Sequence, residues 1–377
     1  MLDRKVIISR DMTGFSSDFA LYEDGRIRTC HDPNEEDIVY GSKAFKQGEL
    51  LDISGSLGMK VDAFVHESLI NSYAQIYGDD INWMRALGKN RFVSIINSKL
   101  REISKEIQEK DTKKYFKTLI KGRKVLGSFE RIHIDKPSLL NELKARESSN
   151  LNSLLPGQDG TCEVVRYSHS SQTGRMTVMK GPKVLLLSKE DRRFFVPKKH
   201  RNVLAQVDFV SLEPRVIYLL ARGEAPRDIY TKMGEEIGGD ISRAKLKIAT
   251  ISSLYGSSKT DPAISKKVSR FFSIDKVTEK YLNNDALFNL YGRPLFPEDD
   301  RLRLSHFVQS TAVDVALLGF SNFVESKNIT PYFMIHDSLV FECSRETYEE
   351  LSKDDLYVDI EPMGRFYLGL SLFNEHN

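Results

Sequence analysis

The stretch Val203-Leu-Ala-Gln-Val-Asp-Phe-Val-Ser-Leu-Glu-Pro-Arg215 decides how the second half of this chain folds. Val203–Phe209 is an apolar, partly β-branched run that predicts a strand, and near its end stands one carboxylate, Asp208. Pro214 suits the first turn of a helix, because the N–H that proline lacks has no partner there in any helix. The stretch therefore predicts a strand that carries an acidic side chain to a strand-to-helix turn.

A second acidic residue lies in a predicted hairpin further along the chain. Tyr332–Ile335 and Leu339–Glu342 are predicted as short strands, and His336-Asp337-Ser338 joins them as a tight turn. A strand end and a hairpin tip can bring Asp208 and Asp337 to one edge of a sheet. Two carboxylates together with substrate phosphates suit Mg²⁺, which prefers oxygen ligands and is rarely caged by protein alone. Taken singly, each aspartate is explained as well by its turn.

A predicted helix, Ser242–Tyr255, lies between these two acidic residues. One face of it carries residues that are spaced four apart, Arg243, Lys247, Ile251 and Tyr255. The cations suit a triphosphate, because Arg offers a fork of donors and Lys a point charge. The tyrosine ring offers a surface on which any base stacks. A solvated basic helix with Tyr255 packed into the core explains the same pattern.

Composition restricts the class of protein. The 377 residues suffice for two or three domains, and 40% hydrophobic with 29% charged residues is typical of a globular protein. The three cysteines are far apart and form no Cys-x-x-Cys pair, so neither a zinc site nor a disulfide framework is indicated. No apolar run reaches the ~20 residues that span a bilayer, and the first residues lack the features of a signal peptide. No membrane partner and a cytoplasmic location are therefore expected.

Positive charge is concentrated between Arg85 and Lys144, where 16 Lys and Arg oppose 7 Asp and Glu, a local balance of +9. A basic, helix-like pattern covers 92–126, which suits an element that lies along duplex phosphates. A solvated helix face explains the same charges. The candidates for phosphate contact include Lys113, Lys117 and Lys121.

Together, five ordered segments resemble the family A DNA polymerases, the DNA polymerase I group. The three main motifs are matched by Asp208 to Arg215, by Arg243-x3-Lys247-x7-Tyr255-Gly256, and by Met334-Ile-His336-Asp337. Two minor signatures, Thr173-Gly174-Arg175 and Gln309 to Asp314, stand in the expected order. The resemblance covers 160–377 and does not clearly extend to 1–145.

The resemblance implies an α+β fold of the right-hand type, with palm, fingers and thumb, an antiparallel palm sheet and a small N-terminal α/β region. The implied boundaries are 1–90 for the N-terminal region, 91–160 for a thumb-like helical region, 161–225 and 290–377 for the palm, and 226–289 for the fingers. Phe19–Tyr22 and Arg26–Cys30 are predicted to form a hairpin. This hairpin is either the remnant of an exonuclease or part of a small α/β domain particular to this chain. Only 207 residues precede Asp208, whereas an exonuclease with a thumb needs on the order of 300. No 3′–5′ proofreading is therefore expected.

The resemblance also implies roles for single residues. Asp208 and Asp337, with the backbone carbonyl of Phe209, would hold two Mg²⁺ ions and, with Lys247, would catalyse nucleotidyl transfer. The implied nucleotide-binding residues are Arg243, Lys247, Ile251, Tyr255, Glu213 and His336, and the implied DNA contacts are Arg175, Arg301 and Gln309. Glu213, braced by Tyr255, would crowd a ribose 2′-hydroxyl. The expected partners are therefore primer–template DNA and dNTPs.

Three residues depart from the family pattern. Ile251 stands where an aromatic is usual, Ser211 where Gln is typical, and Ser338 where DNA polymerases usually have Glu. Serine at this last position is more common in single-subunit RNA polymerases. An RNA polymerase or primase-like enzyme is therefore one alternative, against which Glu213 argues, because such RNA polymerases carry a small residue there.

An inactive nucleic-acid-binding relative is the other alternative, and the retention of Asp208, Asp337, Lys247 and Arg243 together argues against it. Small size and missing proofreading are typical of a phage replicase, which would act in the cytoplasm of a bacterial host. A mobile-element replicase or a gap-filling repair enzyme fits the same features. The sequence does not identify a replisome or processivity partner.

Overall fold

The computed structural model of the chain describes residues 113–377 without 169–170, 239–240, 256–260, 284–285, 354 and 375–377, together with four N-terminal strands and residues 90, 91 and 94. These residues belong to two compact units. One comprises Met1–Ile120 and Ser168–Ser171, and the other comprises Lys121–Tyr167 and Gln172–Asn377. The first part of the helical pattern predicted over 92–126 lies outside the described residues.

The strands follow one another along the chain as β1 Val6–Ser9, β2 Phe19–Glu23, β3 Arg26–Cys30, β4 Ile38–Tyr40, β5 His133–Ile134, β6 Arg166–Ser168, β7 Thr177–Lys180, β8 Phe195–Val196, β9 Asn202–Phe209, β10 Leu287–Phe288, β11 Pro294–Leu295, β12 Thr330–Ile335, β13 Ser338–Ser344, β14 Tyr357–Ile360 and β15 Gly364–Leu372. In the first unit, β1 to β4 form a four-stranded sheet in the order β3-β2-β1-β4. The β2–β3 hairpin expected from the sequence is confirmed, and β1 runs parallel to β4.

The described α-helices are α1 Lys113–Gly127, α2 Lys136–Ala145, α3 Ser149–Asn152, α4 Leu212–Arg222, α5 Ile229–Ile237, α6 Arg243–Tyr255, α7 Pro262–Phe271, α8 Ile274–Tyr281, α9 Arg303–Ser326 and α10 Arg345–Lys353. The polar stretch 146–160 predicts a loop or linker, and this prediction was wrong in part. Helix α3 lies within it, Ser148 caps this helix, and Leu151 and Leu154 are fully buried. Their burial holds this segment against the core.

A five-stranded sheet forms the centre of the second unit, in the order β12-β13-β9-β15-β14. All of its neighbouring strands are antiparallel, which confirms the α+β fold with an antiparallel sheet. Strand β9 lies in the middle, and its residues from Ala205 to Asp208 have a partner in both neighbouring strands. The sheet therefore fixes the position of Asp208 through two neighbouring strands.

Strand β9 alternates between its two faces. Val203, Ala205, Val207 and Phe209 are buried on one face, and Asp208 is exposed on the other. The Phe209 ring lies 4.9 Å from the ring of Phe320 on α9. A Cβ on Gly319 would approach Cζ of Phe209 to 2.7 Å, so glycine permits this close packing. The packing of Phe209 on α9 turns the Asp208 carboxylate away from the core.

Helix α9 is the longest described helix and packs within the core. The stretch Asp300–Ser326 is long and apolar enough to cross a membrane by length and composition, but 78% of its most apolar window is buried inside the protein. Its contacts with α4, α6 and β14 account for this apolar surface.

Candidate active site

The two predicted aspartates lie at the same end of the central sheet. Asp208 pairs with Ser338 on β13 and with Gly369 on β15. Asp337 directly precedes Ser338, and its carbonyl accepts a hydrogen bond from the Phe209 N–H at 3.3 Å. The register of β9 and β13 therefore brings both carboxylates to the cleft end of the sheet.

These carboxylates line a cleft of about 550 Å³. Nine of the residues predicted for the site contribute to its walls, namely Arg175, Asp208, Phe209, Glu213, Lys247, Ile251, Gln309, His336 and Asp337. They come from the sheet, from α4, α6 and α9, and from the segment that precedes β7. The structure thus gathers side chains that are far apart in sequence into one concave surface.

The electrostatics of the carboxylate pair are unfavourable for two negative charges. Burial raises the pKa of Asp208 to about 6, and the charge of Asp337 adds to this effect. A hydrogen bond from Ser338 Oγ at 2.7 Å and the charge of Lys247 oppose the rise. Asp208 is open to the cleft, but protein surrounds its other sides, which explains the cost of desolvation. A cation between the two carboxylates would relieve their repulsion.

The donor set fits Mg²⁺ rather than a metal that protein cages completely. Among the residues that the structure describes, no group of three or more His, Cys, Asp or Glu side chains is placed to hold a metal. Structural zinc sites need four such ligands. Mg²⁺ is commonly held by one or two carboxylates, with substrate phosphates and water completing its shell. The pair Asp208 and Asp337 matches this second case.

Helix α6 forms the wall that carries the predicted cations. Leu246 and Ala249 are buried on one side of it, which leaves Lys247 and Ile251 facing the cleft. Arg243, one turn before Lys247, is exposed and is not part of the lining. Its Nη1 donates to Asp228 Oδ2 at 2.6 Å. The structure therefore places Arg243 at the cleft rim, next to a carboxylate that the sequence did not single out.

Glu213 lies at the centre of a hydrogen-bonded cluster. Arg175 Nη2 donates to its Oε1 at 3.1 Å, and the Tyr255 hydroxyl donates to its Oε2 at 2.5 Å. Tyr255 also bonds to Gln309. Burial and the charge of Glu213 raise the pKa of Tyr255, so its hydroxyl stays protonated and remains a donor. The cluster joins α4, α6 and α9 across the cleft and holds the Glu213 side chain in one position.

The backbone is strained on both sides of the carboxylate pair. Ser211, which precedes α4, has a φ of 56°, and His336, at the hairpin tip, has a φ of 54°. Side chains other than glycine rarely adopt this left-handed conformation, and it often marks functional sites. The third described case, Ser273, does not line the cleft.

Two of the predicted DNA contacts, Arg301 and Lys121, do not line the cleft. Arg301 forms an ion pair with Asp299 at 2.6 Å, and its side chain is 88% exposed. It is not among the residues that line the cleft. Lys121 is exposed on α1. The side chains of Lys113 and Lys117 lie outside the described part of the chain.

Sequence reasoning missed three residues of the site. Tyr230 lines the cleft, Asp228 holds Arg243, and Tyr167 supports the hairpin through both backbone groups of Met334. The Tyr167 hydroxyl accepts from the Met334 N–H at 2.9 Å and donates to the Met334 carbonyl on the edge strand β12. Asp228 could have been found as the N-cap before an apolar-periodic run. A tertiary contact such as that of Tyr167 has no local signal.

Comparison with known proteins bears on the fold. No family model and no curated protein matches this chain. Among solved structures, the chain is similar to the POL domain of Pol1 from M. smegmatis in complex with DNA primer-template and dNTP. The TM-score is 0.60, the match covers 86% of this chain and 81% of that one, and the sequence identity is 12%. At this identity the likeness shows the fold, so the chain has a polymerase-like fold.

Proposed function

We propose that this chain is a template-directed DNA polymerase of the family A type, which adds dNTPs to a primer 3′-hydroxyl by two-metal-ion nucleotidyl transfer. One observation carries the proposal. Asp208 and Asp337 converge at the end of an antiparallel sheet, in a cleft that Lys247 also lines. The polymerase-like fold supports it, because a neighbour with the same fold is a polymerase domain in complex with primer-template and dNTP.

The proposal assigns regions of the chain to parts of a right hand. The palm comprises 161–225 and 290–377, the fingers 226–289 and the thumb 91–160, while 1–90 forms the small N-terminal region. The central sheet falls in the palm, and helices α5 to α8 fall in the fingers. The basic residues Lys113, Lys117 and Lys121 then contact duplex phosphates, whose neutralisation makes binding dependent on salt.

Asp208, Asp337 and the Phe209 carbonyl are the groups that would hold Mg²⁺. Two ions at such a site stabilise the attacking and leaving oxygens of an in-line displacement. Lys247 places a positive charge beside the triphosphate and gives a proton to the leaving pyrophosphate. Catalysis in this scheme is mostly positioning with electrostatic stabilisation.

Other side chains of the cleft select and orient the substrates. Glu213, held by Tyr255, leaves no room for a ribose 2′-hydroxyl, and Ile251 offers an apolar surface beside the sugar. Arg243 grips the terminal phosphate. The side chains assigned to primer, template and minor groove are Arg175, Arg301, Gln309 and His336. Minor-groove contacts of this kind test base-pair shape rather than sequence.

Primer extension tests the proposal. A primed single-stranded template is incubated with the protein and Mg²⁺, with either the four dNTPs or the four rNTPs. Extension with dNTPs alone is expected. Extension with rNTPs would instead favour an RNA polymerase or primase-like enzyme, for which Ser338 beside Asp208 is the supporting feature. Failure of both nucleotide sets, with intact DNA binding, would overturn the proposal in favour of a binding protein.

A further inference from the structure

The guanidinium of Arg243 is fixed by contacts within the protein. Its Nη1 donates to Asp228 Oδ2 at 2.6 Å and lies 3.5 Å from Thr231 Oγ1. Its Cζ lies 5.3 Å from the centre of the Tyr230 ring, and Tyr230 lines the cleft. These contacts use one edge and one face of the guanidinium. Nη2 and Nε have no hydrogen-bond partner among the described residues, so they remain as donors for a ligand.

Asp228 performs two tasks with one carboxylate. Its Oδ1 accepts from the N–H groups of Tyr230 at 3.0 Å and Thr231 at 3.1 Å, which caps the N-terminus of α5. Its Oδ2 accepts from Arg243. Partial burial opposes ionisation of Asp228, but the hydrogen bonds from Arg243 and Thr231 outweigh it, so the pKa lies below its ordinary value. The contact with Arg243 is therefore charged at neutral pH.

A fully buried arginine ties Asp228 to the carboxylate end of the central sheet. Arg215 donates to the carbonyls of Pro226 at 2.9 Å and Arg227 at 2.6 Å, directly before Asp228. Its Nε reaches the carbonyl of Val210, two residues after Asp208, at 3.4 Å. The segment that carries Asp228 is thus anchored just beyond the end of β9, the strand that carries Asp208.

We propose that Asp228 is a positioning residue that aims the free edge of Arg243 at the terminal phosphates of the incoming nucleotide. The inference rests on the proposed function and deepens it. A guanidinium that is already held in place loses less side-chain freedom when it binds phosphate, so its contribution to affinity rises. Asp228 itself touches no substrate.

The substitution Asp228→Asn separates the two tasks. Asparagine keeps a carbonyl oxygen for the cap of α5, but its amide donates hydrogen bonds and cannot hold Arg243. In primer extension, the KM for dNTP is expected to rise roughly 5-fold, while kcat changes less than about 2-fold. An unchanged KM would overturn the proposal.

Asp261→Asn is the matched control. Asp261 caps α7 through the Ala263 N–H at 2.7 Å, and it has no ion-pair partner within the residues described. The same exchange there is expected to leave the KM for dNTP unchanged. An equal rise in both variants would show that the effect comes from loss of the cap charge, which contradicts the proposal.

A double-mutant cycle with Arg243→Gln shows whether Asp228 acts through Arg243. In the Arg243→Gln background, Asp228→Asn is expected to add less than about 2-fold to the KM. A full effect of Asp228→Asn in that background would assign Asp228 a role independent of Arg243 and would overturn the proposal.

Calorimetric binding of inorganic tripolyphosphate with Mg²⁺ measures the same contact without catalysis. The wild type is expected to bind, and Asp228→Asn to bind roughly 5-fold more weakly. This result would support the inference even if primer extension failed and the proposed function fell. Equal binding by the two proteins, or no binding by the wild type, would overturn the inference even if extension succeeded.

Discussion

The two ends of the strand pair β9 and β13 each carry a carboxylate, and the surroundings of the two carboxylates shift their pKa values in opposite directions. At the end away from the cleft, Glu342 is only 3% exposed. It accepts hydrogen bonds from the Tyr332 hydroxyl at 2.6 Å, from Asn202 Nδ2 at 2.7 Å, and from the N–H groups of Lys198 and Lys199 at 2.7 and 3.1 Å. Burial opposes ionisation, but these donors outweigh it and lower its pKa.

At the cleft end, Asp208 receives one hydrogen bond from a side chain, that of Ser338, and faces a second carboxylate. Its pKa is raised to about 6 rather than lowered. The difference between Glu342 and Asp208 distinguishes a carboxylate that stabilises the fold from one that can bind a ligand. A carboxylate whose lone pairs are matched by fixed donors holds the fold together, whereas one that is left beside a like charge is available to a ligand.

The largest effect is expected from a substitution at the cleft end of the sheet, and it should change catalysis but not stability. Asp337→Asn removes one of the two proposed metal-holding carboxylates, so the rate of nucleotide incorporation should fall roughly 10³-fold or more. The free energy of unfolding should stay the same or rise, because a like-charge repulsion disappears. Single-turnover incorporation and urea denaturation measure the two quantities.

Asp359→Asn on β14 is the control, because Asp359 is an exposed aspartate that pairs with Arg365 at 3.2 Å. It should leave both quantities nearly unchanged. Incorporation at the wild-type rate by Asp337→Asn would show that the carboxylate pair is not the catalytic centre.

The second substitution is at Glu342, at the end of the sheet away from the cleft, and it should lower stability. Glu342→Gln leaves one acceptor oxygen and places an amide against N–H donors, so at least one buried donor loses its partner. The free energy of unfolding should fall by about 3 kcal/mol. Glu349→Gln, on the exposed face of α10, serves as the control and should change it by less than about 0.5 kcal/mol. If the folded Glu342→Gln protein lost most of its incorporation activity but kept its stability, Glu342 would be functional rather than structural, which contradicts the assignment.

A third substitution tests whether Glu213 selects the sugar of the incoming nucleotide. Glu213→Ala removes the side chain that Arg175 and Tyr255 hold, so the preference for dNTP over rNTP in kcat/KM should fall about 30-fold. Tyr255→Phe removes only the supporting hydroxyl and should have a smaller effect in the same direction. Unchanged discrimination in Glu213→Ala would place the selection of the sugar elsewhere.

The smallest expected effect concerns pH. Because the pKa of folded Glu342 lies below its ordinary 4.5, its stabilising contribution is complete above pH 4.5 and is lost as the pH falls through the folded value. The difference in unfolding free energy between wild type and Glu342→Gln should therefore shrink as the pH is lowered from 6 to 3.5. Urea denaturation at several pH values measures it, and a constant difference would contradict the assignment.

Much of the central sheet could be predicted from the sequence, because its signals are local. The period-two pattern of β9, Pro214 at the start of α4 and the His336-Asp337 turn each specify the structure of a few neighbouring residues. The four-residue spacing from Arg243 to Tyr255 likewise fixes one face of α6. Such patterns depend on backbone geometry and not on distant contacts.

The remaining features depend on contacts between distant residues. Asp228 meets Arg243, and the Tyr167 hydroxyl meets Met334, through packing that no short segment encodes. The polar composition of 146–160 predicts a linker, yet Leu151 and Leu154 are fully buried in the core. The right-hand subdivision and the roles of Arg301 and the lysines of α1 stay predictions.

Single-nucleotide incorporation opposite each of the four template bases is the most direct test of the proposed catalytic centre. Each dNTP is offered separately to the wild type and to Asp208→Asn, prepared identically. The wild type is expected to add only the complementary nucleotide, and Asp208→Asn, although folded and able to bind primer–template, is expected to add none. Incorporation that ignores the template base, or that persists unchanged in Asp208→Asn, would contradict this expectation.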